Sequence, residues 1–283
     1  MTFLSKTTRW LDQERTHRPL TGFLDDDLFT RAMYTTGIFA IALFVVTLPA
    51  FVIDTRELDG APIWLKPEKF NVSMTVHFLT LAVLAQLLPR TIRQGPSLMI
   101  AGYLAVGSMV FEQVYISIQA ARGRRSHFNY ETELEQALYG LMGLGALLLV
   151  FVAIVLAVQI WRKGSGVGVG LRTGAVVGLI VGALSTIAYG GYMSMSGSHW
   201  IGDHPANGLE VPFFGWSREV GDMRPAHFVT LHMMQTVPFF GWLGDRFGMP
   251  SVPIVVGATL VQIALASFLF FQALNGQPFW PAG

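Results

Sequence analysis

Residues 135–161 read EQALYGLMGLGALLLVFVAIVLAVQIW, and Glu135 at the first position is the only charged residue in this stretch. A helix rises about 1.5 Å per residue, so a helix over this stretch exceeds the roughly 30 Å of a lipid hydrocarbon core. A backbone in that core must satisfy its own hydrogen bonds, and a helix does so. The stretch therefore predicts a transmembrane helix and an all-α fold.

Six further stretches are long and apolar enough to be interpreted in the same way. They are residues 31–53, 71–89, 96–120, 171–193, 225–244 and 250–274. Charged residues make up only 13% of the chain, whereas an average soluble domain has about 25%. So few charged residues cannot cover the surface of a soluble protein of this size. We expect an integral membrane helical bundle of about seven transmembrane helices in a lipid bilayer.

The predicted spans divide the chain into one membrane domain with short ends. Residues 1–30 are expected to form a cytoplasmic or interfacial segment, residues 31–274 the seven-helix domain, and residues 275–283 a short tail. Eleven of the 19 Lys and Arg residues fall on the side of the N-terminus and eight on the other side. Cytoplasmic loops keep the excess of such residues, so we expect the N-terminus inside and the C-terminus outside. The first apolar stretch lacks a cleavage site and is interpreted as an uncleaved span.

The composition excludes several classes of protein. Because the chain has no cysteine, any metal must be held by His, Met, carboxylate or carbonyl groups. A net charge of +1 without a basic cluster argues against nucleic acid as a partner. The last span contains no lysine that could carry a retinal Schiff base.

Polar residues within the spans provide candidate site residues. Six of the seven histidines fall on or near the predicted outer side, namely His77, His127, His199, His204, His227 and His232. Ionisable groups are costly in hydrocarbon and usually face a bundle interior or a cavity. By their distance from the span ends, His77, Glu112, His232 and Gln235 all lie in the outer half of the bilayer. Spans two, three and six are therefore expected to share a polar pocket.

The first hypothesis for this pocket is haem or metal binding in electron transfer or redox chemistry. His77 and His232 would ligate a haem b iron from both sides. Alternatively, His77, Glu112 and His232 would hold a non-haem iron, copper or zinc ion. Gln235 would then orient a ligand. Further candidate residues around the site are His127, His199, His204 and His227.

The second hypothesis is a transporter or receptor for a small anionic or lipid-like molecule. Spans two and six both begin on the outer side, beside Lys66, Lys69 and Arg224. Helix N-termini bind anions, so Arg224, with Asp222 next to it, is a candidate binding residue. In the alternative interpretation, Lys69 and Arg224 merely pair with Glu68 and Asp222. Trp200 is interpreted as an interfacial anchor.

The third hypothesis is an accessory or assembly subunit of a larger membrane complex. Gly170, Gly174, Gly178 and Gly182 recur every four residues and line one stripe of span five. Such a stripe lets another helix approach closely. The partner would be a neighbouring span or a second copy of the chain, so an oligomer remains open. Whether the protein is an enzyme, or has a redox partner, is also open.

A short internal similarity predicts a tandem arrangement of three helices, one linker helix and three helices. Residues 66–70 (KPEKF) and 224–228 (RPAHF) share the pattern basic-Pro-x-basic-Phe. Both segments lie where a span begins on the outer side, and Pro suits a first helical turn. Parallel repeats of this kind occur in some transporters.

Three short motifs resemble those of uncharacterised bacterial multi-pass membrane proteins. They are W-x-K-P-x-K-F at residues 64–70, S-H-F-N at residues 126–129, and G-D-x-R-x-x-H-F at residues 221–228, followed by His232 and Gln235. The resemblance implies a bacterial inner membrane as the location. It implies no activity, cofactor or catalytic role.

Overall fold

The computed structural model describes residues 27–165, 167–205 and 208–281, most of which are helical. The helices are α1 (Leu28–Ile53), α2 (Leu65–Ala85), α3 (Arg90–Arg93), α4 (Pro96–Ala121), α5 (Glu133–Lys163), α6 (Val169–Met195), α7 (Arg224–Arg246) and α8 (Ser251–Leu274). Two short antiparallel pairs join β1 (Glu57–Leu58) to β2 (Ala61–Pro62) and β3 (Trp200–Ile201) to β4 (Gly221–Asp222). Most of the predicted N-terminal segment, residues 1–26, lies outside the described residues.

Five of the described helices are long and apolar enough to cross a membrane, namely α1, α4, α5, α6 and α8. Large apolar side chains on them face outward, as Val46 does at 71% and Phe268 at 64% exposure. A bilayer removes the cost that water would impose on such surfaces. The remaining long helices, α2 and α7, have 21 and 23 residues but carry more polar side chains. The prediction of an all-helical membrane bundle is therefore supported, with five spans clear from composition.

The long helices form two groups of three with α5 between them. Helices α1, α2 and α4 pack on one another, and so do α6, α7 and α8. Helix α5 contacts α4 on one side and α6 on the other, and it also reaches α2. Alanine and glycine are frequent where the helices meet, because small side chains allow the close approach that holds helices together in lipid.

One connected apolar core runs through the first group, α5 and α6. Its largest fully buried side chains include Phe29, Met33, Phe78, Leu81, Leu98, Met109, Leu156, Ile160 and Leu179. Met234 of α7 joins the same core, so both groups of helices share one interior.

Side chains satisfy several helix ends. Asp27 accepts a hydrogen bond from the backbone N–H of Thr30 at 3.0 Å and so caps α1. The N-terminus of α6 is capped by a residue of another helix. Asp245 of α7 accepts hydrogen bonds from the backbone N–H groups of Gly170 at 2.9 Å and Leu171 at 2.7 Å. A carboxylate at that position also interacts favourably with the helix dipole.

The four glycines that recur every four residues in α6, which we call the glycine ladder, face α7. They are Gly170, Gly174, Gly178 and Gly182. A Cβ atom at Gly174 would lie 2.8 Å from the carbonyl oxygen of Val237, and one at Gly178 would lie 2.8 Å from that of Met233. Gly170 likewise meets the carbonyl oxygen of Gly241, and Gly182 meets the side chain of Met234. The partner of the ladder is therefore a neighbouring helix of the same chain.

We expect Gly178→Ala to destabilise the protein by about 1–3 kcal/mol, because the added methyl group would overlap backbone of α7. Gly143→Ala is the matched control, since a Cβ atom at this helical position of α5 meets nothing within 4 Å. There the alanine should be neutral or stabilising by up to about 1 kcal/mol. Thermal unfolding of the purified protein in detergent measures both variants. Equal stability of the two variants would show that the ladder does not set the packing.

Candidate functional site

Three connections cover one end of the bundle, which we call the capped end. They are residues 54–64, 122–132 and the described parts of 196–223, which are 196–205 and 208–223. Arg56 donates a hydrogen bond to the carbonyl oxygen of Ala121 at 3.1 Å, and Arg125 donates to Asp59 at 2.8 Å. The backbone N–H of Met223 donates to the carbonyl oxygen of His199 at 3.0 Å. The first two bonds join the connections 54–64 and 122–132 to each other and to the end of α4, and the third closes the last connection on itself. The rings of Phe128 and His199, with centroids 5.7 Å apart, bring the second and third connections into contact.

Three cationic side chains meet at the capped end. Lys66 and Lys69 lie in the first turn of α2, and Arg224 is the first residue of α7. Lys66 is close enough to Lys69 and Arg224 to interact with both electrostatically, and Lys69 likewise interacts with Arg224. Both basic residues of segment 66–70 thus lie near Arg224, the first residue of the similar segment 224–228.

The three cations differ in how their charges are satisfied. Arg224 forms an ion pair with Asp222, with Nε–Oδ1 at 2.9 Å, and also donates to the carbonyl oxygen of Gly215. Lys69 donates a hydrogen bond to the carbonyl oxygen of Phe214 at 2.9 Å. It does not pair with Glu68, as the alternative interpretation of the sequence predicted. Lys66 makes no hydrogen bond or ion pair with any described residue.

Lys66 has carboxylates as well as cationic groups around it. Asp59 and Glu112 act on it from a distance, and Glu210 lies near Lys69. Because none of these carboxylates bonds to it in the described part of the chain, the side-chain nitrogen of Lys66 is available for a ligand.

An aromatic wall of His199, Trp200 and His204 stands beside these cations. Trp200 and His204 stack with ring centroids 4.2 Å apart and planes 9° apart, and His199 lies 4.2 Å from Trp200. The Arg224 guanidinium lies 5.7 Å from the centroid of the Trp200 ring. Trp200 is therefore part of the site and not simply an interfacial anchor.

Ring nitrogens of the aromatic wall have no partner among the described residues. They are Nε2 of His199, Nε1 of Trp200 and Nε2 of His204, and all three are buried. The indole N–H is a donor only, and a buried donor without an acceptor costs about 1–3 kcal/mol. An anionic oxygen placed between the aromatic wall and Lys66 would accept hydrogen bonds from the indole N–H of Trp200 and from the side-chain nitrogen of Lys66.

His127 and His199 of the capped end are uncharged at neutral pH. Burial, followed by Arg224 and Lys66, holds the pKa of His199 well below its ordinary value. Burial and Lys66 do the same to the pKa of His127, whose ring packs against Phe70 and Tyr139. Burial also raises the pKa of Glu210, against the opposing effect of Arg224 and Lys69.

The other predicted site residues contact different helices. Nε2 of His77 donates to the carbonyl oxygen of Leu149 in α5 at 3.0 Å. Glu112 is 4% exposed and also faces α5, since a Cβ atom at Gly145 would lie 2.8 Å from its Oε1. That oxygen has no hydrogen-bond partner among the described residues.

The histidines of α7 lie apart from these groups. His232 packs on Phe228, with ring centroids 4.2 Å apart, and interacts with Gln235. His227 contacts α6, where a Cβ atom at Gly190 would lie 2.9 Å from its Cε1.

The haem or metal hypothesis gains no support from this arrangement. In the described part of the chain, no hydrogen bond, ring contact or electrostatic interaction joins His77 or Glu112 to His232. The described residues also contain no group of three or more His, Cys, Asp or Glu side chains that could hold a metal ion. Binding of haem, iron, copper or zinc therefore stays a prediction.

Comparison with known proteins yields no match to a protein-family model, to a curated protein or to a solved structure. The short motifs that resemble bacterial membrane proteins thus stay a prediction, and the site has to be interpreted from its own geometry.

We expect the protein to lose stability as the pH falls below about 6.5, the ordinary pKa of histidine. The unfolded chain takes up protons on His127 and His199 there, whereas the folded chain does not, so protons favour unfolding. Each histidine contributes up to about 1.4 kcal/mol per pH unit. Thermal unfolding between about pH 7.5 and pH 5.5 measures the slope.

The double variant His127→Gln/His199→Gln should have a shallower pH slope than the wild type. Trp200→Phe is the control, because it changes the same aromatic wall without removing a titrating group. A slope unchanged in the double variant would contradict the assignment of these histidines as buried and neutral.

Proposed function

We propose that this chain is a multi-pass inner-membrane protein that binds a small anionic solute at the capped end, as a transporter or a receptor. The observation that supports this function best is the convergence of Lys66, Lys69 and Arg224 beside the unpartnered ring nitrogens of His199 and Trp200. Two helix N-termini, those of α2 and α7, add their positive dipole ends at the same place.

The charge balance of the site favours a small ligand with one or two negative charges. Asp222 already compensates Arg224, and Glu210 partly compensates Lys69. Lys66, the indole N–H of Trp200 and the unpartnered ring nitrogens of His199 and His204 remain for the ligand. A carboxylate or phosphate oxygen can accept from an ammonium group and from an indole N–H at once, and the aromatic rings offer an apolar surface to the rest of such a molecule.

In this proposal α2 and α7 also span the membrane, which gives seven spans in total. Each is long enough to cross about 30 Å of hydrocarbon, and each packs against two or more apolar helices, which shield its polar side chains from lipid. With the N-terminus inside, the capped end faces the outside of the inner membrane.

A tandem repeat of three, one and three helices is part of the same proposal. Each group of three is packed internally, α5 lies between them, and α2 and α7 are the middle helices of the two groups. Each middle helix brings a basic first turn to the capped end, as expected of a binding site between repeats.

Thermal stabilisation of the detergent-purified protein by a panel of anions tests the function. The panel contains inorganic phosphate, succinate, benzoate and phosphatidylglycerol, with phosphatidylcholine as the uncharged reference. We expect one class to stabilise the wild type and Lys66→Met to weaken its binding at least about tenfold, because a charge-assisted hydrogen bond is lost. Lys163→Met, at the opposite end of α5, is the matched control and should bind as the wild type does.

Two outcomes would reject the proposed function. If every anion stabilises Lys66→Met as much as it stabilises the wild type, Lys66 does not bind the anion, and the three cations have only a structural role. If the purified protein shows a Soret band or about one bound metal ion per chain, and the signal is lost in both His77→Ala and His232→Ala, the redox hypothesis replaces it.

We expect alkaline phosphatase fused after Gly283 to be active, because this reporter works only outside the cytoplasm. The excess of Lys and Arg at the end opposite the capped end sets this orientation. Fluorescence of a green fluorescent protein fused at the same residue would instead place the C-terminus, and with it the capped end, in the cytoplasm.

A further inference from the structure

A buried carboxylate lies between α1 and α2, on the face of α2 that the anion site does not use. Glu68 is 3% exposed, and neither of its carboxylate oxygens has a hydrogen-bond partner among the described residues. Thr47 of α1 and Asn71 of α2 are close enough to interact with it, but neither meets the geometry of a hydrogen bond. Asn71 is itself fully buried.

Two polar side chains, Thr47 and Asn71, lie beside Glu68. The Thr47 hydroxyl donates its proton to the carbonyl oxygen of Leu43 at 2.8 Å and accepts a hydrogen bond from Nδ2 of Asn71 at 3.5 Å, so one of its lone pairs is free. The side-chain oxygen of Asn71 has no partner in the described part of the chain. The two carboxylate oxygens of Glu68 and the amide oxygen of Asn71 are therefore buried without a hydrogen-bond partner among the described residues.

No described cationic side chain compensates Glu68. Only burial and the two polar neighbours act on its charge. Lys69 is adjacent in sequence, but neighbouring residues of a helix point in different directions, and its ammonium group donates to Phe214. An isolated buried carboxylate is strongly unfavourable, so a positive charge has to be taken up at this place.

We propose that Glu68, Asn71 and Thr47 form a binding site for a sodium ion. A small hard cation prefers oxygen ligands, and carboxylate, amide and hydroxyl oxygens are all of this type. One carboxylate matches one monovalent charge, whereas a divalent ion would leave a buried positive charge. A proton can be shared between only two oxygens, whereas a sodium ion takes several oxygen ligands at once.

The site goes beyond the proposed function and is linked to it by position. Glu68 lies between Lys66 and Lys69 in the first turn of α2, so sodium binds on one face of this turn and the anion on another. Sodium and anion would then both fix the same turn against its neighbours, and each would favour binding of the other, since such coupling is reciprocal.

Thermal unfolding of the detergent-purified full-length protein in sodium chloride, with choline chloride as the replacement at constant ionic strength and pH, tests this site. No solute of the anion panel is added, so failure here leaves the anion function untouched. We expect sodium to stabilise the wild type in a saturable way and Glu68→Gln to raise the dissociation constant at least about tenfold. Glu57→Gln, at an exposed carboxylate of the capped end, should respond to sodium as the wild type does.

Asn71→Ala and Thr47→Val give a second route if Glu68→Gln does not fold. Each removes one neutral oxygen, and binding of radioactive sodium to either variant should be weaker than to the wild type. Equal stability in sodium and choline would overturn the proposal. A stability that depends on pH through Glu68, and is the same in both salts, would overturn it too and assign a proton to the site.

Discussion

Backbone contact between α6 and α7 along the glycine ladder is the interaction on which the capped end depends. Residues 196–223 begin where α6 ends and finish where α7 begins, so the position of this long connection is set by the packing of the two helices. His199, Trp200 and Arg224 all lie on it or at its end. A shift of α7 along α6 would separate Arg224 from the start of α2, and with it the three cations of the site.

The positions of the charged side chains reflect a second constraint, since polar groups inside a membrane protein need partners. Most charged side chains near the helix ends have clear roles in the fold. Asp245 caps α6, Asp222 fixes Arg224, and Asp59 holds Arg125. Glu68 and Glu112 differ, because both are buried, and both oxygens of Glu68 and Oε1 of Glu112 have no hydrogen-bond partner among the described residues. Part-buried Lys66 likewise bonds to no described residue. Groups that are costly and unpartnered are the ones that point to ligands.

Much of the fold could be predicted from the sequence, because apolar length and small-residue spacing are local signals. Each predicted span overlaps a long helix, although α2 begins six residues and ends four residues before the predicted bounds 71–89. The four-residue spacing of glycines does lead to close helix packing. The composition of α2 and α7 is less apolar than that of the other long helices, so five spans, not seven, are clear from composition. Many residues of these two helices are buried against other helices and therefore need not be apolar.

The site was harder to predict, because it depends on which helix faces which. Sequence spacing places His77, Glu112 and His232 at a similar depth, but depth does not fix direction, and the first two turn toward α5 while His232 packs on its own helix. Trp200 was assigned to the interface because its neighbours in space, His204 and Arg224, are brought to it only by the folded connection. Glu68 and Asn71 carried a detectable signal, since they are three residues apart at the start of a span and share one helical face.

The cap that Asp245 places on α6 also has a consequence for the order of assembly. Asp245 follows Gly170 by 75 residues, and a ribosome adds about 5–20 residues per second, so α6 is synthesised about 4–15 s before its capping residue. During that interval its first N–H groups and its glycine stripe have no protein partner. Helix α6 therefore reaches its final state only once α7 has entered the bilayer, and the two helices mature as one unit late in biosynthesis.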